Sequence, residues 1–237
     1  MNEEKFTKLV LDFERAILEY SPKKLEEIYN EFKELNYDDK FVNYYIALCV
    51  FNLIFMEDKF NRVEYLNEAI EYIKKSLEMD KKFADGLGLL AGLYALKAGI
   101  NIKEGFVYGP KVTQLLRKAL ETEPDNPRLY YFTGLVYAVK PIVFGGNPNK
   151  AIEEFNKAIS LFESGNGRKW PIRWGYIETL SLLYIAYENL GYKERLNEIY
   201  EKLMEFKAIV VCVDLRVLDI SFLSRKIDKN FIKDLPN

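Results

Sequence analysis

The sequence predicts an all-α fold, an array of about five helical hairpins closed by a C-terminal cap. Three observations predict it: apolar residues recur at spacings of three and four, the chain repeats itself at a regular interval, and turn residues such as Ser21-Pro22 separate the periodic stretches. A chain of 237 residues is long enough to bury a substantial core in this way.

Phe6, Val10, Phe13 and Ile17 share one face of a first helix, and Leu25, Ile28, Tyr29 and Phe32 share one face of a second. Ser21 suits an N-cap and Pro22 a first helical position, so residues 1–36 read as a helical pair. The clearest repeated unit follows Pro124, with Tyr130, Gly134 and Tyr137 on one helix and Ala151, Phe155 and Ala158 on the next. Units beginning at Phe41, Ala84 and Pro127 stand 43 residues apart, and a last one from Ile177 carries Leu180, Leu183, Tyr187, Gly191, Leu196, Tyr200 and Leu203. Beyond Phe206, the apolar run AIVVCVDLRVLDISFL (208–223) spaces Val211, Leu215, Leu218 and Phe222 as a capping helix, followed by a polar tail to residue 237.

The pattern resembles the tetratricopeptide repeat (TPR), a helical hairpin of about 34 residues marked by an aromatic, a small residue and a tyrosine on its first helix. The resemblance covers residues 38–207. It implies a single right-handed, TPR-like superhelical solenoid over 1–237, with four repeats in 41–207 after the N-terminal pair. The first three repeats have lengthened connections: AGINIKEGFVYGPK fills one and PIVFGGNP another. Tyr184 and Ala208 depart from the pattern, standing where a small residue and a proline are usual. The lengthened hairpins also resemble, by architecture more than by motif, the T-components of TRAP transporters, which implies a small apolar ligand carried in a cavity between hairpins.

Composition removes several function classes. Lys plus Arg total 34 against 36 Asp plus Glu, a formal net charge of −2, so no general attraction to nucleic acid or membrane is expected. Glu3, Glu4, Asp12 and Glu14 interrupt the N-terminal stretch where a secretory leader would be apolar, and no run approaches the roughly 20 apolar residues of a bilayer span. The expectation is a cytoplasmic protein without membrane insertion. There is no histidine, and Cys49 and Cys212, the two cysteines, have no metal-ligand spacing. No catalytic residue, metal or cofactor is expected, and the chain reads as a non-enzymatic binding or scaffold module.

Local motifs support the same reading. GFVYGPKVT (105–113) has the residue types of a phosphate-binding loop in the wrong spacing, and is predicted to be a glycine turn with Pro110 opening a helix. In FGGNPNK, Asn147 and Pro148 suit the start of a helix and Gly145-Gly146 a bend before it. Free amides there, near Lys140 and Lys150, are a possible anion contact. Trp170 and Trp174 lie among Arg168, Lys169 and Arg173, a setting that suits either an anionic ligand or docking of a linker whose Pro171 opens the next helix. Pairs such as Glu26-Glu27, Asp38-Asp39 and Glu153-Glu154 are adjacent residues that share no helix face, so they read as solvated surface.

The resemblance also implies which residues face the inside of the solenoid: Tyr45, Cys49, Asn52, Tyr131, Leu135 and Ala138, with Gly88 and Gly92 opening space between them. The lysine and asparagine that clamp a peptide carboxylate in chaperone-binding members are absent. An aromatic, apolar inner face is expected to bind a protein or peptide partner with Tyr45 and Tyr131 as anchors, or a small apolar molecule, or a second subunit, or to be filled by residues 208–223.

Overall fold

The computed structural model describes residues 2–35, 38–57, 63–167 and 169–205. Among the described residues ten α-helices follow one another: α1 (Asn2–Leu18), α2 (Pro22–Glu34), α3 (Lys40–Met56), α4 (Val63–Met79), α5 (Ala84–Ala98), α6 (Ile102–Thr122), α7 (Pro127–Val139), α8 (Pro148–Glu163), α9 (Tyr176–Leu190) and α10 (Lys193–Met204). A 3-10 turn, Ile142–Phe144, precedes α8, and the described residues contain no β-strand. The chain is all-α.

Helices of two kinds alternate. Those at α3, α5 and α7 are buried nearly all round, with every residue from Val42 to Ile54 and from Ala84 to Leu93 in the interior. By contrast α4 buries one stripe, Leu66, Ala69, Ile70, Ile73 and Ser76, and α8 another, Ala151, Phe155, Ala158, Ile159 and Phe162. The packing explains the difference. Each helix packs against the next in sequence, while α1, α3, α5, α7 and α9 also pack against one another in series, so the central ones have neighbours on several sides. Each large apolar side chain they bury contributes roughly 1.5–3 kcal/mol.

Capping sets where these helices start. The Asp39 carboxylate accepts from the amides of Phe41 and Val42, and Asn126 accepts from Arg128 N ahead of Pro127. The helices α3, α5, α7 and α9 begin at Lys40, Ala84, Pro127 and Tyr176, each within one residue of a predicted unit start, α5 without a side-chain cap.

Two local expectations are corrected. The stretch GFVYGPK is not a turn: α6 starts at Ile102, its first turn capped by Asn101 accepting from Glu104 N, and Pro110 lies inside the helix. Pro110 leaves the Phe106 carbonyl without its helical donor, a cost met because the 21-residue α6 packs along α5. Much of the lengthening of this hairpin is therefore helix. Likewise Pro171 does not open α9, which starts after Gly175; Trp170 and Pro171 instead form a tight turn closed by a bridge between Lys169 and Ile172.

The PIVFGGNP connection is a bend that only glycine permits. Gly145 has φ of 92°, and a Cβ on Gly146 would lie 1.7 Å from the Lys140 carbonyl oxygen. Asn147 N donates to Tyr137 O, and its side chain accepts from Lys150 N to begin α8. The capping helix predicted for 208–223, the tail, Cys212 and Arg168 lie outside the described residues.

Candidate functional site

The predicted inner face comes together but offers no open groove. Tyr45, Cys49, Tyr131 and Leu135 are buried, and Asn52 turns its amide back to donate to Leu48 O. Burial alone pushes the Cys49 thiol well above its ordinary range, which makes it an unreactive interior thiol. The space expected at Gly88 and Gly92 is occupied: a Cβ at either would stand 2.8 Å from the Phe132 ring. Ala138 is half-buried and packs against the core.

Two segments do the filling. From one side α1 and α2 bring Phe6, Phe13 and Phe32 against the Tyr45 ring, at centroid distances of 6.0, 5.4 and 5.4 Å. From the other, the connection 164–175 folds inward. Tyr45 donates its hydroxyl to Pro171 O at 2.8 Å, and Trp174 Nε1 donates to the Tyr44 hydroxyl at 2.8 Å. The Trp174 ring stands edge-on to Tyr131 and Phe132 at 5.5 and 5.8 Å. Trp170, by contrast, is about half exposed, so the two tryptophans have unlike roles.

A buried ion pair fastens this connection, and sequence periodicity passes over it. Arg128 and Asp85 are both interior; Arg128 Nε donates to Asp85, while Nη1 donates to Gly167 O at 3.0 Å and Trp174 O at 3.2 Å. Asn126 donates to the second Asp85 oxygen at 3.1 Å. An arginine one residue inside an otherwise apolar helix is the one sequence signal that could have marked the site.

At the rim, α1 and α9 each supply a carboxyl. Glu178 accepts from Gly175 N at 3.0 Å, and burial, aided by the charge of Glu14, raises it from 4.5 to about 6. Glu14 is also raised by burial, an effect opposed by Arg173 at 3.4 Å. A carboxyl raised on folding holds its proton more tightly in the folded state. Its contribution to stability is therefore full below pH 4.5 and is lost as pH rises through about 6. Replacing Glu178 by glutamine keeps the acceptor and removes the titration. The expected result is a flatter dependence of unfolding free energy on pH between 4.5 and 6, by an amount on the order of 1–2 kcal/mol, and an unchanged slope would refute the assignment.

The predicted anion contact at Gly145-Gly146 is also corrected. Their amides already donate to Ile142 O and Pro141 O, so neither is free for a ligand.

The most exposed apolar side chains among the described residues lie at the tips of two of the lengthened hairpins. Phe106 and Val107 on α6 are 72% and 51% exposed, and Ile142 and Val143 in the 3-10 turn are 77% and 72% exposed. The rings of Phe106 and Phe144 meet edge-on at 6.4 Å, which makes one patch of the two tips. Lysines rim it. The ammonium groups of Lys97 and Lys111 lie 4.9 and 5.0 Å from the Tyr108 ring centre, and that of Lys150 lies 5.6 Å from Tyr137. Side chains this apolar and this exposed, in contact with one another, mark an interaction surface. A three-residue apolar run before Gly145, out of step with any core period, is the trace they leave in the sequence.

Among the described residues no group of acidic, cysteine or histidine side chains is arranged to hold a metal, and no helix is long and apolar enough to cross a membrane. No family model and no curated protein matches this chain. Among solved structures it is similar to the HusA haemophore from Porphyromonas gingivalis, with 20% sequence identity, a TM-score of 0.62, and coverage of 80% of this chain and 94% of that one. At that identity, the likeness is one of helical fold.

Proposed function

We propose that this chain is a non-enzymatic carrier of a small, flat, apolar ligand bearing acidic groups, held at the hairpin-tip patch of a TPR-like helical solenoid. The observation that carries the reading is the pairing of exposed Phe106 and Ile142 with a rim of lysines, while the inner-face residues are packed away. Apolar side chains supply contact area and the lysines fix the orientation of an acid. The solenoid reading draws on the unit starts and on the serial packing of α3, α5, α7 and α9. That a protein of similar fold is a haemophore supports a ligand-carrying role over a scaffold that grips a peptide in its inner face.

Native mass spectrometry of the purified chain, followed by calorimetric titration with haemin and with a long-chain fatty acid, tests the proposal. Saturable binding of at least one probe is expected, weakened about tenfold or more by Phe106→Ser with Ile142→Ser and unchanged by Trp170→Ala. A chain that carries no added mass and takes up neither probe would refute it.

A further inference from the structure

Leu11, Met79, Trp170, Tyr200 and Met204 are exposed singly, but most of the exposed apolar residues are grouped. The group lies near where the first helix of each hairpin hands over to the second: Val63 at the start of α4, Ile100 between α5 and α6, Phe106 in the first two turns of α6, Ile142 before α8, Leu190 at the end of α9, and Tyr192 between α9 and α10. Contacts join these places into one edge. Lys97 donates to Asn67 Oδ1 at 2.6 Å, tying the end of α5 to the start of α4; Phe106 meets Phe144; and the Tyr192 hydroxyl is 3.5 Å from Asn149 Oδ1 on α8.

Charge is as uneven as hydropathy. Segments 94–111 and 136–150 together carry five lysines, Lys97, Lys103, Lys111, Lys140 and Lys150, against the single acid Glu104, in a protein whose net charge is −2. The rest of the chain is correspondingly acidic. A protruding apolar row, ringed by lysines and aromatic rings and set against an acidic body, is complementary to one kind of surface.

We infer that this edge docks on an anionic lipid bilayer, with Phe106, Val107, Ile142 and Val143 entering the headgroup region and the lysines meeting lipid phosphates and carboxylates. The exposures favour a flat partner, because tips that leave most of their side-chain surface in solvent can enter a planar interface side by side. Tyrosines and lysines suit the boundary, where the ring or stem lies in apolar surroundings and the polar end stays wet. The chain lies on the bilayer without spanning it. The inference goes beyond the carrier reading, since it stands whether or not a soluble ligand binds.

Co-sedimentation of the full chain with vesicles tests it, using pure phosphatidylcholine against three parts phosphatidylcholine to one part phosphatidylserine. The chain is expected to pellet with the anionic vesicles and to stay in solution with the neutral ones. Phe106→Ser with Ile142→Ser abolishes pelleting, and each of Lys103→Gln and Lys111→Gln weakens it about fivefold, with a further loss in high salt. All four positions are at the surface, and circular dichroism of each variant shows whether the fold is kept. If the chain stays in solution with anionic vesicles, or pellets undiminished in folded variants, the inference fails. It also fails if the same substitutions break up a dimer in light scattering, which would make a second copy the occupant. Because the vesicles contain no haemin or free fatty acid, failure here leaves the calorimetric result standing, and the reverse also holds.

Discussion

Arg128→Met is expected to destabilise the fold by about 3–5 kcal/mol, read as a shift of the urea midpoint. That is a large share of the roughly 5–15 kcal/mol that holds a domain of ordinary stability. The size follows from what is left behind. Methionine fills much of the volume but leaves the Asp85 carboxylate in the interior with Asn126 as its remaining partner, and it strips the donor from Gly167 O and Trp174 O. A buried charge without its counter-charge costs far more than the net worth of the pair.

A second substitution separates the two causes. Adding Asp85→Leu to Arg128→Met removes the orphaned charge, and about half of the loss should return. A deficit of about 1–3 kcal/mol should persist, because the two carbonyls of the 164–175 connection still lack a donor. Complete recovery would mean that Arg128 only neutralises Asp85. A single-variant loss below about 1 kcal/mol would refute the assignment altogether.

The contrast between Arg128 and the helix starts shows what a sequence of this kind discloses. Ser21 and Asn147 act on amides three residues away, so their capping roles are local and are read directly, whereas Asp39, read as solvated surface, in fact caps α3. The filling of the inner face is not local. It rests on Tyr45 meeting Pro171 and Trp174 meeting Tyr44, contacts between residues 126 and 130 positions apart, and helical periodicity says only that such faces are apolar. Gly88 and Gly92 were legible as small residues, but whether the space beside them is empty or taken by Phe132 depends on how closely α7 approaches α5. In GFVYGPK the local preference of glycine and proline for a turn loses to packing along α5, since one missing backbone bond costs less than the apolar contact that the longer helix gains. The exposed tips were hardest to read: with no core period to obey, Ile142 and Val143 look in sequence like any apolar residues in a loop.

Trp174→Ala should cost about 3–5 kcal/mol, and its value lies in the comparison with the other tryptophan. Trp174 is 4% exposed, stands edge-on to two rings and donates to Tyr44, so truncation removes area, ring contacts and a buried hydrogen bond together. Trp174→Phe keeps a ring between Tyr131 and Phe132 but gives up the indole donor, and should lose about 1–2 kcal/mol. Trp170→Ala, four residues away and half exposed, should change the urea midpoint by less than about 0.5 kcal/mol. Truncation at 174 also uncovers part of the aromatic inner face, because Tyr131 then lacks a neighbour on that side. The alanine variant should therefore bind a fluorescent apolar dye while its far-ultraviolet dichroism stays helical, and the Trp170 variant should not. If both tryptophan variants behaved alike, the 164–175 connection would not be the plug of the inner face, and Tyr45 and Tyr131 would again be candidates for contact with a partner.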